Sequence, residues 1–256
     1  MPDLEPSVGT RDWVKEAIFD EQSIHILEGY ETMHLLTSSV GRKLLMAVTG
    51  MMLAGFITVH LLGNLSVFAG SEAINIYAEK LHSLGPIVWI FRLIMLGLFS
   101  VHIAFGIKLT MENSSASPEA YAIKKRLKTT FAAESMIYTG LILLVFLLYH
   151  LLHFTVQVVH TDAVSMLLPE VNGRPNVFAM VGHSFNSAFV SIVYVIAMCA
   201  LFLHLSHGLQ SFVQTLGLNN GPSQDKVAYI GKLVAVFFGL AYIAIPLAFL
   251  FNIVKI

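Results

Sequence analysis

Five long apolar segments without acidic or basic residues constrain the fold of this chain more than any other feature. They cover residues 44–71, 93–107, 135–161, 177–224 and 233–254. A membrane-spanning helix needs about 20 apolar residues, and the second segment reaches that length when 84–92 is added, because Arg92 can extend toward the membrane surface. Since 56% of the residues are hydrophobic and only 12% are charged, the sequence predicts an all-α membrane protein.

The fourth segment is too long for one crossing, and turn-forming residues limit it on both sides. The stretches 172–175 and 217–222 are rich in Asn, Gly and Pro, so its helix is expected at about 186–216. The predicted spanning helices are about 42–68, 84–109, 131–160, 186–216 and 229–254, and they form one domain, 41–256. Residues 1–40 are polar and acidic, unlike a secretory signal, and are expected to stay on the cytoplasmic side.

The distribution of basic residues supports this orientation. With the N-terminus inside, eleven of the 15 lysines and arginines fall on the cytoplasmic side, as the positive-inside rule requires. We therefore expect a multi-pass protein of the cytoplasmic membrane. The formal net charge of −1 argues against a nucleic-acid partner. The lone cysteine, Cys199, excludes a disulfide framework and a cysteine-held iron–sulfur cluster within this chain.

Four histidines lie in four different apolar segments, where an ionisable side chain is costly and usually functional. His60 and His150 each lie 18 residues past the cytoplasmic start of an outward-running helix, about 27 Å along it. His102 and His204 each precede the cytoplasmic end of an inward-running helix by 6 residues, about 9 Å. Depth therefore predicts an outer pair, His60 with His150, and an inner pair, His102 with His204.

Two imidazole pairs, each drawn from two helices, are what axial ligation of two haems in a helix bundle requires. The motif for covalent haem attachment is missing from the sequence, so two b haems are expected, with the four histidines as iron ligands. Glycines repeat with the histidines: Gly50 and Gly140 each precede an outer histidine by ten residues, and Gly106 and Gly208 each follow an inner one by four. Because glycine lets a flat macrocycle approach the backbone, all four are expected to pack against haem. Contact between helices would explain any one of them equally well.

His153 and His207 are rival ligands, because each lies three residues from a proposed ligand on nearly the same helix face. Choosing them would break the shared spacings, so they are expected to support the ligands or bind haem propionates. A histidine-lined proton or metal transporter is an alternative from a different class. Transporters usually carry acidic residues or broken helices at the midplane, and the core segments here have no acidic residues.

Several of these segments resemble a known family. Thr-Gly at 49–50 and 139–140, FAGSEAIN at 68–75, His102 with Gly106, and HLSHGLQSF at 204–212 look like the dihaem cytochrome b membrane anchor of succinate dehydrogenases and fumarate reductases, of the five-helix, single-anchor type. The resemblance runs from about Val40 to the end of the chain. It implies a five-helix bundle in which the same two histidine pairs bind the inner and outer haems.

The resemblance also implies partners and a reaction. A flavoprotein and an iron–sulfur subunit would dock on the cytoplasmic face, and electrons between succinate and a membrane quinone, expected to be menaquinone, would pass through both haems. The succinate site must lie elsewhere, because nothing in this chain offers a flavin fold. Residues 1–40 are expected either to form an amphipathic helix on membrane lipid or on the iron–sulfur subunit, or to be a frayed tail. The main alternative is a dihaem cytochrome b of another quinone-linked respiratory enzyme.

Quinone chemistry needs a proton-exchanging side chain beside a redox group, and the candidates near the outer haem are His82, Glu79, His153 and His160. Some family members have an acidic residue, tied to quinol oxidation, twelve positions after the glycine that matches Gly70. Here that position is His82; an imidazole suits transfer of the quinol proton near neutral pH, and a surface-loop histidine is the alternative. Other members carry a glutamate, implicated in proton transfer, where this chain has Phe202, so that route is not expected.

Overall fold

The computed structural model describes residues 36–116, 129–165, 173–219 and 221–256, and helices account for most of them. Of the described residues, those up to Leu44 and those from Leu45 onward belong to separate units, and the histidine pairs belong to the second. The α-helices are α1 (Ser39–Leu65), α2 (Ser71–Ser83), α3 (Pro86–Ser115), α4 (Phe131–Glu134), α5 (Met136–His150), α6 (Thr161–Val164), α7 (Val177–Asn186), α8 (Ala188–Thr215) and α9 (Gln224–Leu250).

Five of the described helices are long and apolar enough to cross a membrane, which confirms the predicted fold class. They are α1, α3, α5, α8 and α9, extended by short 3₁₀ or π turns in three cases. Their bounds lie near the predicted ones, except at α5. It begins later, because Ser135 ends the separate short helix α4, and it ends earlier, because a π turn follows His150. The amphipathic segment considered for residues 1–40 lies almost wholly outside the described residues.

Within the described connections between spanning helices, two helices of 10 residues or more were not predicted by the sequence analysis, α2 and α7. One buried side chain, Asn75 of α2, joins them. Its Nδ2 donates to Asn176 Oδ1 at 3.4 Å, and its Oδ1 accepts from the backbone N–H of Phe178 at 3.0 Å. This pairing satisfies the amide inside the fold, so α2 and the start of α7 are fixed together. His82 consequently lies in the last turn of a helix, not in a loop.

A change of backbone pitch follows His150 directly. Residues Leu151–Thr155 form a π-helical turn, closed by the Val156 N–H donating to the Leu151 carbonyl at 2.7 Å. Gln157 and His160 then adopt left-handed backbone conformations, with φ of 62° and 53°. Such turns interrupt a helix at a cost and often accompany functional sites. Here they turn the chain back so that His160 approaches Tyr149.

The interior packs around α8, which contacts α5, α7 and α9. One apolar cluster surrounds Tyr194 and Phe185, and a second joins Leu61 and Leu205 to Phe238. By contrast, Met95 is the only buried residue of α3. His102, on α3, therefore belongs to a helix with few apolar contacts to the rest of the described chain.

Candidate functional site

The structure brings the four histidines together in two pairs. The ring centres of His102 on α3 and His204 on α8 are 6.3 Å apart, and those of His60 on α1 and His150 on α5 are 5.9 Å apart. We keep the names inner pair and outer pair for them. Each pair joins two helices, and all four rings are half-buried.

These spacings suit one metal ion between two imidazoles. A ligating nitrogen lies about 2 Å from its metal, so imidazoles on opposite sides of one iron have ring centres about 6 Å apart. Among the described residues, no group of three or more His, Cys, Asp or Glu side chains could hold a metal ion. The pairs thus offer two protein ligands each, which is the number that a haem iron accepts on its two faces.

Threonine hydroxyls determine which nitrogen of each inner histidine carries the proton. The Thr49 hydroxyl donates to the Leu45 carbonyl at 2.7 Å and lies 3.3 Å from His102 Nδ1. A hydroxyl has a single proton to donate, so toward His102 it accepts, and Nδ1 must be the donor. A neutral imidazole protonated at Nδ1 has its free lone pair on Nε2, which is then available to bind a metal.

Thr139 does the same for His204. Its hydroxyl is 3.1 Å from the carbonyls of Ser135 and Met136, to which it donates, and 3.2 Å from His204 Nδ1. His204 therefore also presents an unprotonated Nε2. The two inner histidines receive equivalent support from equivalent positions on α1 and α5.

The glycines beside these threonines make room for the same two rings. A Cβ added at Gly50 would lie 3.2 Å from His102 Cε1, and one at Gly140 would lie 3.5 Å from His204 Cε1. The sequence analysis associated these glycines with the outer histidines of their own helices. The structure instead sets each one against an inner histidine of another helix, and packing against haem remains a prediction for them.

The remaining two glycines differ in their surroundings. A Cβ at Gly208 would meet no described heavy atom within 4 Å, and one at Gly106 would meet only the end of the flexible Met46 side chain, at 3.6 Å. Close approach of protein helices therefore does not require glycine at Gly208. Packing against haem therefore stays a prediction for Gly106 and Gly208, each one turn after an inner histidine.

Aromatic side chains surround the outer pair. His60 stacks on Phe56 and Tyr242, with ring centres 5.5 and 6.4 Å apart, and the Tyr242 hydroxyl donates to the Ile57 carbonyl at 2.6 Å. His150 stacks on Phe146 at 5.7 Å, and its Nδ1 lies 3.1 Å from the Tyr194 hydroxyl. The outer pair is thus packed by one phenylalanine from each histidine's own helix and by two tyrosines, Tyr194 of α8 and Tyr242 of α9.

Both nitrogens of the rival ligand His153 are occupied. Nδ1 lies 3.2 Å from the Tyr194 hydroxyl, and Nε2 lies 3.1 Å from Ser184 Oγ. The residue is buried, so a ligand role would break hydrogen bonds that solvent cannot replace. His207 is half-buried, and its ring forms no hydrogen bond with the other described residues.

The candidate quinone-site residues are spread over the loops and helices after α1 and α5. Glu79 accepts from Arg174 Nε at 2.5 Å, and Glu72 accepts from its Nη1 at 2.7 Å. Hydrogen bonding and charge from the two carboxylates, Glu79 first, raise the pKa of Arg174 above its ordinary value. His160 Nε2 lies 2.8 Å from the Tyr149 hydroxyl, and His82 is exposed.

Four side chains at the site were missed as functional residues by the sequence analysis. Thr49 and Thr139 were noticed only as part of a repeat, and Tyr194 and Ser184 were not singled out. Their common signal is a hydroxyl inside an otherwise apolar helix, a group that must find a partner when buried. That signal predicts a buried hydrogen bond but not the histidine at its other end.

Comparison with known proteins gives one family and one relative. Residues 112–241 match the succinate dehydrogenase/fumarate reductase transmembrane subunit family. The chain is 24% identical over 197 residues to the succinate dehydrogenase cytochrome b558 subunit of Bacillus subtilis (strain 168). The aligned region covers 77% of this chain and 88% of the relative. No solved structure matches the chain significantly.

Proposed function

The chain belongs to the succinate dehydrogenase/fumarate reductase transmembrane subunit family, and on this basis we propose that it anchors a succinate:quinone oxidoreductase to the membrane and carries its electrons as a dihaem cytochrome b. The observation that carries the proposal is that four membrane-spanning helices supply two pairs of imidazoles. The ring centres are 6.3 Å apart within the inner pair and 5.9 Å apart within the outer pair. Two b haems held there would supply one-electron transfer across the membrane between an iron–sulfur subunit and quinone.

In this proposal His102 and His204 are the axial ligands on the inner side, and His60 and His150 are those on the outer side. The protonated Nδ1 of His102 and of His204, each donating to a threonine, directs Nε2 of each ring to the iron. Gly50 and Gly140 leave room for these two imidazoles, and Gly106 and Gly208 leave the backbone open one turn after the inner ligands.

The inner pair would lie on the side where the partner subunits dock. Lys108 follows His102 by six residues on α3, and Lys226 and Lys232 lie in the first turns of α9; all three are exposed. An excess of lysine and arginine near helix ends marks the cytoplasmic side of a membrane protein. The flavoprotein and iron–sulfur subunits would bind at that end, with the N-terminus also cytoplasmic, and menaquinone would react at the other.

His82 is the proposed acceptor of the quinol proton, because it is exposed in the last turn of α2 and can exchange protons with water. We expect His82→Ala to lower succinate:menaquinone turnover of the assembled complex about 100-fold or more, the usual size of a general-base contribution. Lys80→Ala, an exposed change two residues earlier on the same helix, should leave turnover unchanged. Undiminished turnover in His82→Ala, with intact haem spectra, would remove His82 from the site.

The proposed function itself is tested by what the affinity-tagged chain brings with it from native membranes. We expect stoichiometric flavoprotein and iron–sulfur subunits and succinate-dependent reduction of a menaquinone analogue. Recovery with the subunits of a different quinone-linked enzyme would overturn the assignment to succinate. Recovery of haem-free protein that moves protons or metal ions would overturn the cytochrome assignment.

Valine in place of Thr49 or Thr139 tests the proposed support of the inner ligands. Valine keeps the shape but removes the acceptor of the histidine Nδ1–H, and loss of such a supporting hydrogen bond typically weakens metal binding by about 10–100-fold. We expect each variant to bind the inner haem more weakly and to keep the outer one. Thr58→Val, where the hydroxyl donates only to its own helix at the Ala54 carbonyl, is the control. Equal haem affinity in all three variants would contradict the supporting role.

A further inference from the structure

Four hydrogen bonds connect His150 to a backbone carbonyl on α7. His150 Nδ1 lies 3.1 Å from the Tyr194 hydroxyl, which lies 3.2 Å from His153 Nδ1. His153 Nε2 lies 3.1 Å from Ser184 Oγ, and Ser184 Oγ lies 2.8 Å from the Met180 carbonyl. The chain of groups runs through the π turn after α5, through α8 and through α7, so it depends on the tertiary fold and not on one helix.

The middle of this chain is closed to solvent. His153 is 1% exposed, Ser184 3% and Tyr194 6%. Phe154 and Phe185 cover the same groups, with ring centres 3.9 Å from His153 and 4.9 Å from Tyr194 respectively. Water cannot substitute for a partner there, so every proton in the chain must be placed by the protein.

The donor and acceptor of every hydrogen bond in the series follow from the last group, the Met180 carbonyl. A carbonyl only accepts, so the Ser184 hydroxyl donates to Met180 and must accept from His153 Nε2–H. A neutral His153 protonated at Nε2 has an unprotonated Nδ1, so the Tyr194 hydroxyl donates to it. Tyr194 then has only lone pairs to offer His150, and His150 must donate from Nδ1.

We infer that this chain, from Met180 through Ser184, His153 and Tyr194, sets the tautomer of His150 so that Nε2 is the nitrogen that binds iron. The inference rests on the proposed function, because it concerns a haem ligand. It makes Tyr194, His153 and Ser184 positioning residues for the outer haem. His153 is then neither a ligand nor a quinone base.

The inner pair supplies the internal contrast. His102 and His204 each donate to a single threonine whose hydroxyl is anchored on its own helix. The outer ligand His150 reaches a backbone acceptor only through three side chains on other turns and helices. Substitutions in this series of hydrogen-bonded groups should therefore affect the outer haem and leave the inner haem unchanged.

The hydrogen-bond series also predicts in which direction the midpoint potential of the outer haem shifts when one of its groups is removed. An acceptor for the ligand Nδ1–H makes the imidazole a stronger electron donor, which favours oxidised over reduced iron. Removing that acceptor should raise the midpoint potential of the outer haem. For a hydrogen bond of ordinary net strength we expect the ratio of oxidised to reduced haem at a fixed potential to fall about tenfold, which equals about 59 mV for one electron.

The test compares three variants of the haem-loaded full chain in its complex, by redox titration of the haem spectrum. Tyr194→Phe removes the acceptor directly, and Ser184→Ala removes the group that orients His153. Ser191→Ala is the matched control, because Ser191 is equally buried and donates to the Phe185 carbonyl at 2.6 Å without contacting a histidine. The outer titration wave is identified as the one missing from His60→Ala.

We expect the outer wave to move up in Tyr194→Phe, to move the same way by less in Ser184→Ala, and to stay in place in Ser191→Ala. An unmoved outer wave in Tyr194→Phe, or an equal shift of the inner wave, would overturn the inference. If Tyr194→Phe fails to retain the outer haem, Ser184→Ala decides between the same two outcomes. Wild-type protein without haem would instead overturn the proposed function, before any variant is compared.

Discussion

Replacing His102 by alanine is expected to halve the haem content of the purified protein, from about two b haems per chain to about one. The reason is that alanine leaves one imidazole where the iron needs a ligand on each face. The ring of His204 is already positioned for the opposite side, 6.3 Å from His102 between centres. Haem per chain from the pyridine haemochrome spectrum, together with a redox titration, measures the loss.

The same substitution at the other three ligands should separate the haems by pair. His204→Ala should remove the same titration wave as His102→Ala, and His60→Ala and His150→Ala should both remove the other wave. His207→Ala is the control, because His207 lies three residues from His204 on the same helix and should leave both waves. Loss of haem in His207→Ala, with retention in His204→Ala, would show that the ligand was assigned to the wrong residue.

Valine in place of Gly50 is expected to abolish binding of the inner haem while the outer haem is kept. A Cβ at this position alone would lie 3.2 Å from His102 Cε1, and the two methyl groups of valine would extend further toward the ring. His102 would have to leave its position or change rotamer, and overpacking of this kind costs about 1–3 kcal/mol. A displaced imidazole also loses its hydrogen bond to Thr49. Spectra of the purified variant, with haem quantified per chain, measure the effect.

Gly55 offers a matched control five residues further along α1, because a Cβ there would meet nothing within 4 Å. Gly55→Val should therefore retain both haems. Gly140→Val should behave like Gly50→Val through His204, whereas Gly140→Ala should be tolerated, because 3.5 Å is an ordinary contact distance. An intact inner haem in Gly50→Val and Gly140→Val would contradict the assigned packing of glycine against the ligand rings.

Hydropathy and helical rise account for what could be predicted from the sequence. Apolar length is a local property, so all five spanning helices follow from composition within short windows. Because an α-helix rises by a constant amount per residue, counting residues from charged ends was sufficient to pair His60 with His150 and His102 with His204. The structure brings the same two pairs together.

The Thr-Gly repeat shows where counting along one helix stops being sufficient. Thr49-Gly50 precedes His60 by ten residues counted from the glycine, which is about 15 Å along α1. That offset is close to the expected separation of the two pairs, so the dipeptide lies level with the inner histidine of a neighbouring helix. The spacing was recognised correctly, but its partner could be identified only after α1 and α3 were placed side by side.

The hydrogen-bond chain of the outer pair could not be predicted for a related reason. Ser184 lies on α7, a helix that the sequence analysis did not predict. Tyr194 lies on α8, more than forty residues from His150. Their meeting depends on the π turn after His150 and on the packing of Phe154 and Phe185. Contacts of this kind, between segments far apart in the sequence, depend on tertiary packing and cannot be predicted from the local pattern of residues.

The central claim is that two histidine pairs hold two haems in one chain, and haem stoichiometry of the purified wild-type protein tests it most directly. Pyridine haemochrome quantification against protein concentration, with a redox titration of the α-band, should give about two b haems per chain and two separable one-electron waves. One haem per chain would contradict ligation by one of the pairs. No haem would contradict both and leave the four histidines without the role that their geometry supports.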